Sequence, residues 1–123
     1  MILIVDDDSS MGGSLERLLR VLGYNAVAIP RPMEALSLLS VRRPQLIITD
    51  IHMPGGMDGL TFVRSVRQDK SFDSIPIWIY SVDFSENLAR DAKRAGAQEY
   101  IIKGTIGYNT LAARIEDLLG KPT

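Results

Sequence analysis

Two short apolar runs that halt on aspartate constrain this chain more than any other feature. The first is Ile2–Val5, followed at once by Asp6, Asp7 and Asp8; the second is Leu46–Thr49, followed by Asp50. Runs of this kind predict strands buried on both faces, as in a parallel sheet. Each aspartate then sits at a carboxyl end, the edge where open parallel sheets bind ligands and carry out chemistry. If the two strands are neighbours, up to four carboxylates share one small volume, and that crowd demands a cation.

The remainder of the chain alternates helix and strand patterns. After the aspartates, Ser9 or Ser10 is placed to cap a helix with Met11, Leu15, Leu18, Leu19 and Leu22 inward and Gly23 as its stop. Gly12 and Gly13 cost that first turn about 1 kcal/mol each against alanine, so either it frays or the backbone passes close to something. Ala26–Ile29 reads as a strand, and Pro32 opens a helix whose stripe is Met33, Ala35, Leu36 and Leu39. Pro44 ends that unit before the strand that stops on Asp50. A loop rich in Gly and Pro follows, and Asp58 is placed to cap a third helix with Leu60, Val63 and Val66 inward. Asp69–Ser74 reads as a polar loop. Pro76–Tyr80 is a fourth strand ending on Ser81, and Ser85 starts a helix with Leu88, Ala92 and Ala95, closed by Gly96. Tyr100–Ile102 is a fifth strand ending on Lys103, and Asn109 or Thr110 caps a last helix with Leu111, Ile115, Leu118 and Leu119 inward. Five apolar strands alternating with five helices predict an α/β fold: a doubly wound, five-stranded parallel sheet with helices on both faces, since right-handed crossovers leave few alternatives.

Composition narrows the function. At 123 residues the chain suits one domain, and no apolar run is long enough to span a bilayer. Met1 leads straight into a strand with no signal-peptide pattern, and the absence of cysteine fits a reducing cytoplasm. A net charge of −1 with scattered basic residues argues against nucleic-acid binding by this chain alone. The single histidine rules out sites that need two.

Applying the edge rule to every strand collects Asp6, Asp7, Asp50, Ser81 and Lys103 on one rim. An all-oxygen set without cysteine or histidine clusters favours Mg²⁺. A carboxylate beside Mg²⁺ can attack phosphorus to form an acyl phosphate, and a lysine and a hydroxyl suit the equatorial oxygens. Taken singly, Ser81 also reads as a helix cap, Lys103 as a solvated lysine and Asp8 as a turn residue.

With these residues in place, the chain resembles the receiver (CheY-like) domain of two-component response regulators over essentially its whole length. Ile2–Asp8 resembles the family's opening strand and acidic pair, Ile47–Pro54 its phospho-acceptor segment, and Met57–Gly59 the loop into the third helix. The resemblance implies a flavodoxin-like strand order 2-1-3-4-5, a receiver domain over residues 1–120 and a tail or cut linker at 121–123. It makes Asp50 the phosphorylated residue and gives Asp6, Asp7 and the His52 backbone carbonyl, with Asp50, the Mg²⁺ site. Ser81 and Tyr100 take the switch positions, and Lys103 the lysine that meets the phosphoryl group. The implied partners are a sensor histidine kinase or His-phosphotransfer protein, and a downstream protein that reads helix 4, strand 5 and helix 5. Three features depart from the family pattern. Gly104 follows the lysine where proline is usual, the loop after Asp50 is one glycine longer, and Val82 stands where a small residue is common and narrows access to the phosphoryl group.

The expected function is thus a bacterial, cytoplasmic phosphorylation switch, its only chemistry being transfer to Asp50 and autodephosphorylation. Two other classes bear on the same residues. A degenerate receiver would keep the fold as a phosphorylation-independent binding module. An aspartyl phosphatase would use Asp6 in the D-x-D-x-[ST] pattern of Asp6–Ser10, but needs a further acidic pair after Lys103, where only Glu116 and Asp117 in a predicted helix are available. His52 reads most simply as an exposed loop residue; the sharper alternative is that it orients water attacking the acyl phosphate. The fourth helix, with a small apolar stripe, is the natural moving part.

Overall fold

In a computed structural model that describes residues 1–122, the strands are β1 (Ile2–Val5), β2 (Ala26–Ile29), β3 (Leu46–Thr49), β4 (Ile77–Ser81) and β5 (Glu99–Ile102). They form one sheet in the order β2-β1-β3-β4-β5, every pair parallel, as the resemblance implied. The helices are α1 (Ser9–Val21), α2 (Pro32–Leu39), α3 (Gly59–Gln68), α4 (Glu86–Ala95) and α5 (Tyr108–Leu119). Of the tail expected at 121–123, Thr123 lies outside the described residues.

Alternation within each strand builds two cores. Ile2 and Ile4 of β1, Leu46 and Ile48 of β3, and Trp78 and Tyr80 of β4 pack with Leu15 and Leu19 of α1 and Leu111 and Ile115 of α5. Leu3, Val5, Ile47, Ile77 and Ile79 face the other way, onto Ala35 and Leu39 of α2, Phe62, Val63 and Val66 of α3, and Ala92 and Ala95 of α4. Strands with apolar side chains on both faces cannot serve as one-sided sheets, which is why β1, β3 and β4 read as unbroken apolar runs.

Several local expectations are corrected. Asp8 caps α1, accepting from the Ser10 and Met11 N–H groups, in place of Ser9 or Ser10. Its first turn is helical from Ser9; Gly12 is buried, but a Cβ there would meet Asp6 and Ala28 only at ordinary contact distances of 3.5 and 3.7 Å, and one at Gly13 would meet nothing within 4 Å, so neither the expected fraying nor a close passage is what sets these glycines. Leu22 ends up exposed beyond the helix. In α2, Met33 is 63% exposed and Pro32 takes its inward place, because the helix is only two turns long and its first residue faces the sheet. Phe62, fully buried, joins the inward face of α3, and a short 3₁₀ turn at Lys70–Phe72 interrupts the predicted polar loop. Gly107, with no side-chain cap, precedes α5 where Asn109 or Thr110 was expected, since the helix starts at Tyr108, before either residue could cap it. Leu118 is 44% exposed. Asp58 and Ser85 cap α3 and α4 as predicted, accepting from Thr61 and Leu88 N–H.

One partly buried guanidinium ties the far end of the molecule together. Arg67 of α3 donates to the carbonyls of Phe72 (2.7 Å), Ile75 (2.7 Å) and Gly96 (3.0 and 3.1 Å), and to Gln98 Oε1. It thereby joins the C-terminal ends of α3 and α4 to the entries of β4 and β5. The small stripe of α4 is therefore firmly anchored at Gly96, and freedom is left to its N-terminal end and the β4–α4 loop.

Candidate functional site

The strand order decides which side chains meet. β1 and β3 are neighbours in register Val5↔Thr49, so the residues immediately past them, Asp6 and Asp50, lie side by side. Their alternation aims both toward the α1/α5 face, the side of Ile4 and Ile48. Lys103, just past β5, shares that side and reaches across β4 to both carboxylates: Nζ is 2.8 Å from Asp6 Oδ2 and 3.0 Å from Asp50 Oδ2. All three side chains are almost fully withdrawn from water, at 6%, 5% and 11% exposure for Lys103, Asp6 and Asp50.

Backbone groups satisfy the remaining carboxylate oxygens. Asp6 Oδ1 accepts from Asp8 N–H at 2.9 Å, and Asp50 Oδ1 from Ile51 N–H at 2.7 Å. Asp7 is exposed, yet a carboxylate oxygen of each of Asp6, Asp7 and Asp50 lies within 4.8 Å of the others. Three carboxylates against one buried ammonium leave negative charge to be balanced, and the cluster can bind a metal ion.

The electrostatics follow from burial. Withdrawal from water pushes the Asp6 carboxyl above its ordinary range and Asp50 adds to the push, while the Lys103 ammonium and the Asp8 N–H draw it back. Burial on its own would lower the Lys103 pKa, but the hydrogen bonds and charges of Asp6 and Asp50 outweigh it and raise it.

Two glycines shape this edge. A Cβ at Gly59 would lie 2.0 Å from the Asp50 carbonyl oxygen and 2.7 Å from Ile51 Cα, so α3 starts directly against the acceptor's backbone. Gly104 has a φ of +87°, a left-handed conformation that lets the chain turn after Lys103 without proline.

The two switch positions occupy the opposite face. Ser81 ends β4 with no exposure, and its Oγ accepts from Asp83 N–H at 3.2 Å. Tyr100 is half-buried on β5; its hydroxyl donates to the Asp83 carbonyl and its ring lies 5.6 Å from that of Phe84. His52 is exposed, as in the simpler expectation, but it is not free: Nε2 is 2.7 Å from Asp83 Oδ2. Val82 is 69% exposed. Asp83, which sequence reasoning passed over, thus touches Ser81, Tyr100 and His52 at once; no strand-end or spacing signal marks it. Tyr80 likewise had no role beyond its place in the fourth strand. Glu116 and Asp117, the acidic pair a phosphatase would need, are exposed on α5, at the flank of the sheet. Among the described residues no helix is long and apolar enough to cross a membrane.

Comparison with known proteins agrees with this fold. The family model described as the response regulator receiver domain matches residues 2–116. The transcriptional regulatory protein PrrA of Mycobacterium tuberculosis is 34% identical over 118 residues, covering 96% of this chain and 49% of that protein. The chemotaxis protein CheY of Pseudomonas aeruginosa is 33% identical over 103 residues, covering 83% of this chain and 82% of its own length. Among solved structures, the chemotaxis protein CheY4 of Vibrio cholerae superposes with a TM-score of 0.88 at 28% identity, covering 96% of this chain and 97% of that one. The chain spans about half the length of the transcriptional regulators it matches. With the family model matched from one end of the sheet to the other, the chain belongs to the response regulator receiver domains.

Proposed function

We propose that the chain is a phosphorylation switch in which Asp50 accepts a phosphoryl group from a phosphohistidine, on a sensor histidine kinase or a His-phosphotransfer protein. The observation that carries this is the buried ammonium of Lys103 held between Asp6 and Asp50, with Asp7 beside them. An Asp50 oxygen attacks phosphorus, the P–N bond breaks, and its electron pair returns to the imidazole, which takes up a proton from solvent. The product is an acyl phosphate whose added charge lies beside Lys103. Asp6, Asp7 and Asp50, with the His52 carbonyl, would hold Mg²⁺. Oxygens on one Mg²⁺ lie at most about 4.2 Å apart, twice its bond length, so a spread within 4.8 Å needs only small side-chain adjustment. Bound there, Mg²⁺ supplies charge neutralisation for the phosphoryl oxygens.

The Ser81 hydroxyl accepts from Asp83 N–H, which leaves its own proton free to donate to the new dianion. Moving toward Asp50 releases Asp83, and with it the carbonyl that holds the Tyr100 hydroxyl. Tyr100 then turns into the space behind Ser81, and the surface of α4, β5 and α5 changes shape for a downstream protein. Residues 1–120 form the receiver unit, and its chemistry is confined to phosphotransfer and autodephosphorylation in a bacterial cytoplasm.

Intact mass after incubation with acetyl phosphate and Mg²⁺ tests this. One added phosphoryl group, lost in Asp50→Asn and without metal, is expected. No adduct from acetyl phosphate or from a phosphorylated kinase would leave a phosphorylation-independent binding module. Phosphate release that survives Asp50→Asn but not Asp6→Asn would instead indicate a phosphatase.

A further inference from the structure

Lys103 must cross β4 to reach its partners, because β4 stands between β5 and the acidic pair at β1 and β3. The residue in its path is Tyr80. It is 6% exposed, pairs with Ile101 in the β4–β5 register and points to the α1/α5 face, the side shared by Asp6, Asp50 and Lys103. The Lys103 ammonium lies 5.6 Å from the centre of the Tyr80 ring. The ring also lines a narrow crevice together with Asp6, Asp50, Met11 and Gly12. An aromatic face attracts a cation within about 6 Å of its centre, most strongly where water is excluded.

Position matters here because the Lys103 side chain is long and flexible and the turn after it is not fixed by proline. The Lys103 N–H donates to the Ser81 carbonyl at 2.8 Å and the residue bridges to Ile106, but Gly104 follows in a left-handed conformation where an added Cβ would meet nothing within 4 Å. Four rotatable side-chain bonds would let the ammonium sample many positions at an entropic cost to any one of them.

Resting on the assignment of Asp50 as phosphoryl acceptor, we infer that Tyr80 is the positioning residue for Lys103: its ring face holds the ammonium over β4, aimed at the oxygen where the phosphoryl group arrives. Tyr80 acts through Lys103 and touches no reacting atom. The ring face carries the effect, so the hydroxyl is dispensable.

The test is a double-mutant cycle on the rate of Mg²⁺-dependent phosphorylation by acetyl phosphate. Tyr80→Leu should slow it roughly five- to thirtyfold, the range of a cation–aromatic contact from exposed to desolvated, while Tyr80→Phe stays near wild type. In a Lys103→Met background, Tyr80→Leu should add almost nothing, which a merely structural loss would not reproduce. An equal slowing in both backgrounds, or a Tyr80→Phe rate as low as that of Tyr80→Leu, overturns the inference. A second readout needs no phosphorylation. NMR signals of the Lys103 side-chain methylenes, assigned by their loss in Lys103→Met, should lie upfield from the ring current in wild type and Tyr80→Phe. They should return toward free lysine in Tyr80→Leu, or in the closer-sized Tyr80→Met should the leucine variant fail to fold. Unshifted methylenes in wild type sink the positioning role. If wild type takes no phosphoryl group from any donor, the switch assignment fails, and this spectroscopic arm still decides whether Tyr80 holds Lys103.

Discussion

His52 Nε2 lies 2.7 Å from Asp83 Oδ2, a contact that fastens the loop after the acceptor strand to the loop after β4. Both side chains are more than half exposed, so the pair contributes at most about 1 kcal/mol to stability. Its consequence is local. Asp83 also holds the Ser81 hydroxyl through its N–H and the Tyr100 hydroxyl through its carbonyl. The tie therefore runs from the residue two past Asp50 to both switch positions.

Cutting that tie should loosen the entrance above Asp50 with little effect on folding. In His52→Ala, the phosphoryl lifetime measured by loss of the mass adduct is expected to shorten roughly two- to fivefold, the effect of a contact worth up to about 1 kcal/mol. The melting temperature should stay near that of wild type. An unchanged lifetime removes His52 from any part in the reaction.

Gly59 is set hard against the acceptor. A Cβ there would lie 2.0 Å from the Asp50 carbonyl oxygen, and the Gly59 N–H donates to the Ile51 carbonyl at 2.7 Å. Gly59→Ala must push α3 or Asp50 aside, at a cost of about 1–3 kcal/mol typical of overpacking. Urea unfolding should show that loss, with slower phosphorylation beside it. Stability within about 0.5 kcal/mol of wild type would contradict the close packing.

Arg67 serves the opposite end of the sheet. Replacing it with methionine keeps much of the stem but strands the carbonyls of Phe72, Ile75 and Gly96 in a partly buried site. The expected cost is on the order of 2–4 kcal/mol. Hydrogen exchange should quicken at the C-terminal end of α4 and the start of β4 more than in β1. Uniform protection across the chain would show that these carbonyls find other donors.

Asp6 and Lys103 bend the pH dependence of stability in different windows. Burial raises the Asp6 pKa above its ordinary 3.8, so the folded chain holds that proton to a higher pH than the unfolded chain. Its contribution to stability therefore falls as pH rises from 3.8 through the raised folded value. Lys103, raised above 10.5 by its two carboxylates, contributes fully below 10.5, and that contribution is lost as pH climbs through its folded value. In metal-free urea titrations, Asp6→Asn should remove that fall and so steepen the rise of stability with pH on the acid limb, whereas Lys103→Met should flatten the alkaline limb. An acid limb unchanged by Asp6→Asn would place its titration at the ordinary carboxylate value.

Much of the architecture was legible in the chain alone. Strands buried on both faces must be apolar throughout, so Ile2–Val5 and Leu46–Thr49 announced a covered parallel sheet. Because each run ended on a polar residue, Asp6, Asp50, Ser81 and Lys103 could be placed on one edge before their distances were known. Caps at Asp58 and Ser85 were readable because a cap acts within three residues of its own position.

Contacts between residues far apart in the chain were decided only by folding. Lys103 and Asp6 are 97 residues apart in sequence, and nothing local specifies their 2.8 Å approach. It arises because β1, β3, β4 and β5 lie in that order and because alternation aims Asp6, Asp50, Tyr80 and Lys103 to one face. The same order puts Ser81 and Tyr100 on the other face and leaves Asp83 between them and His52. Periodicity can name which residue ends a strand. Which neighbour that residue meets is set by strand order and register, and these depend on packing both faces of the sheet at once.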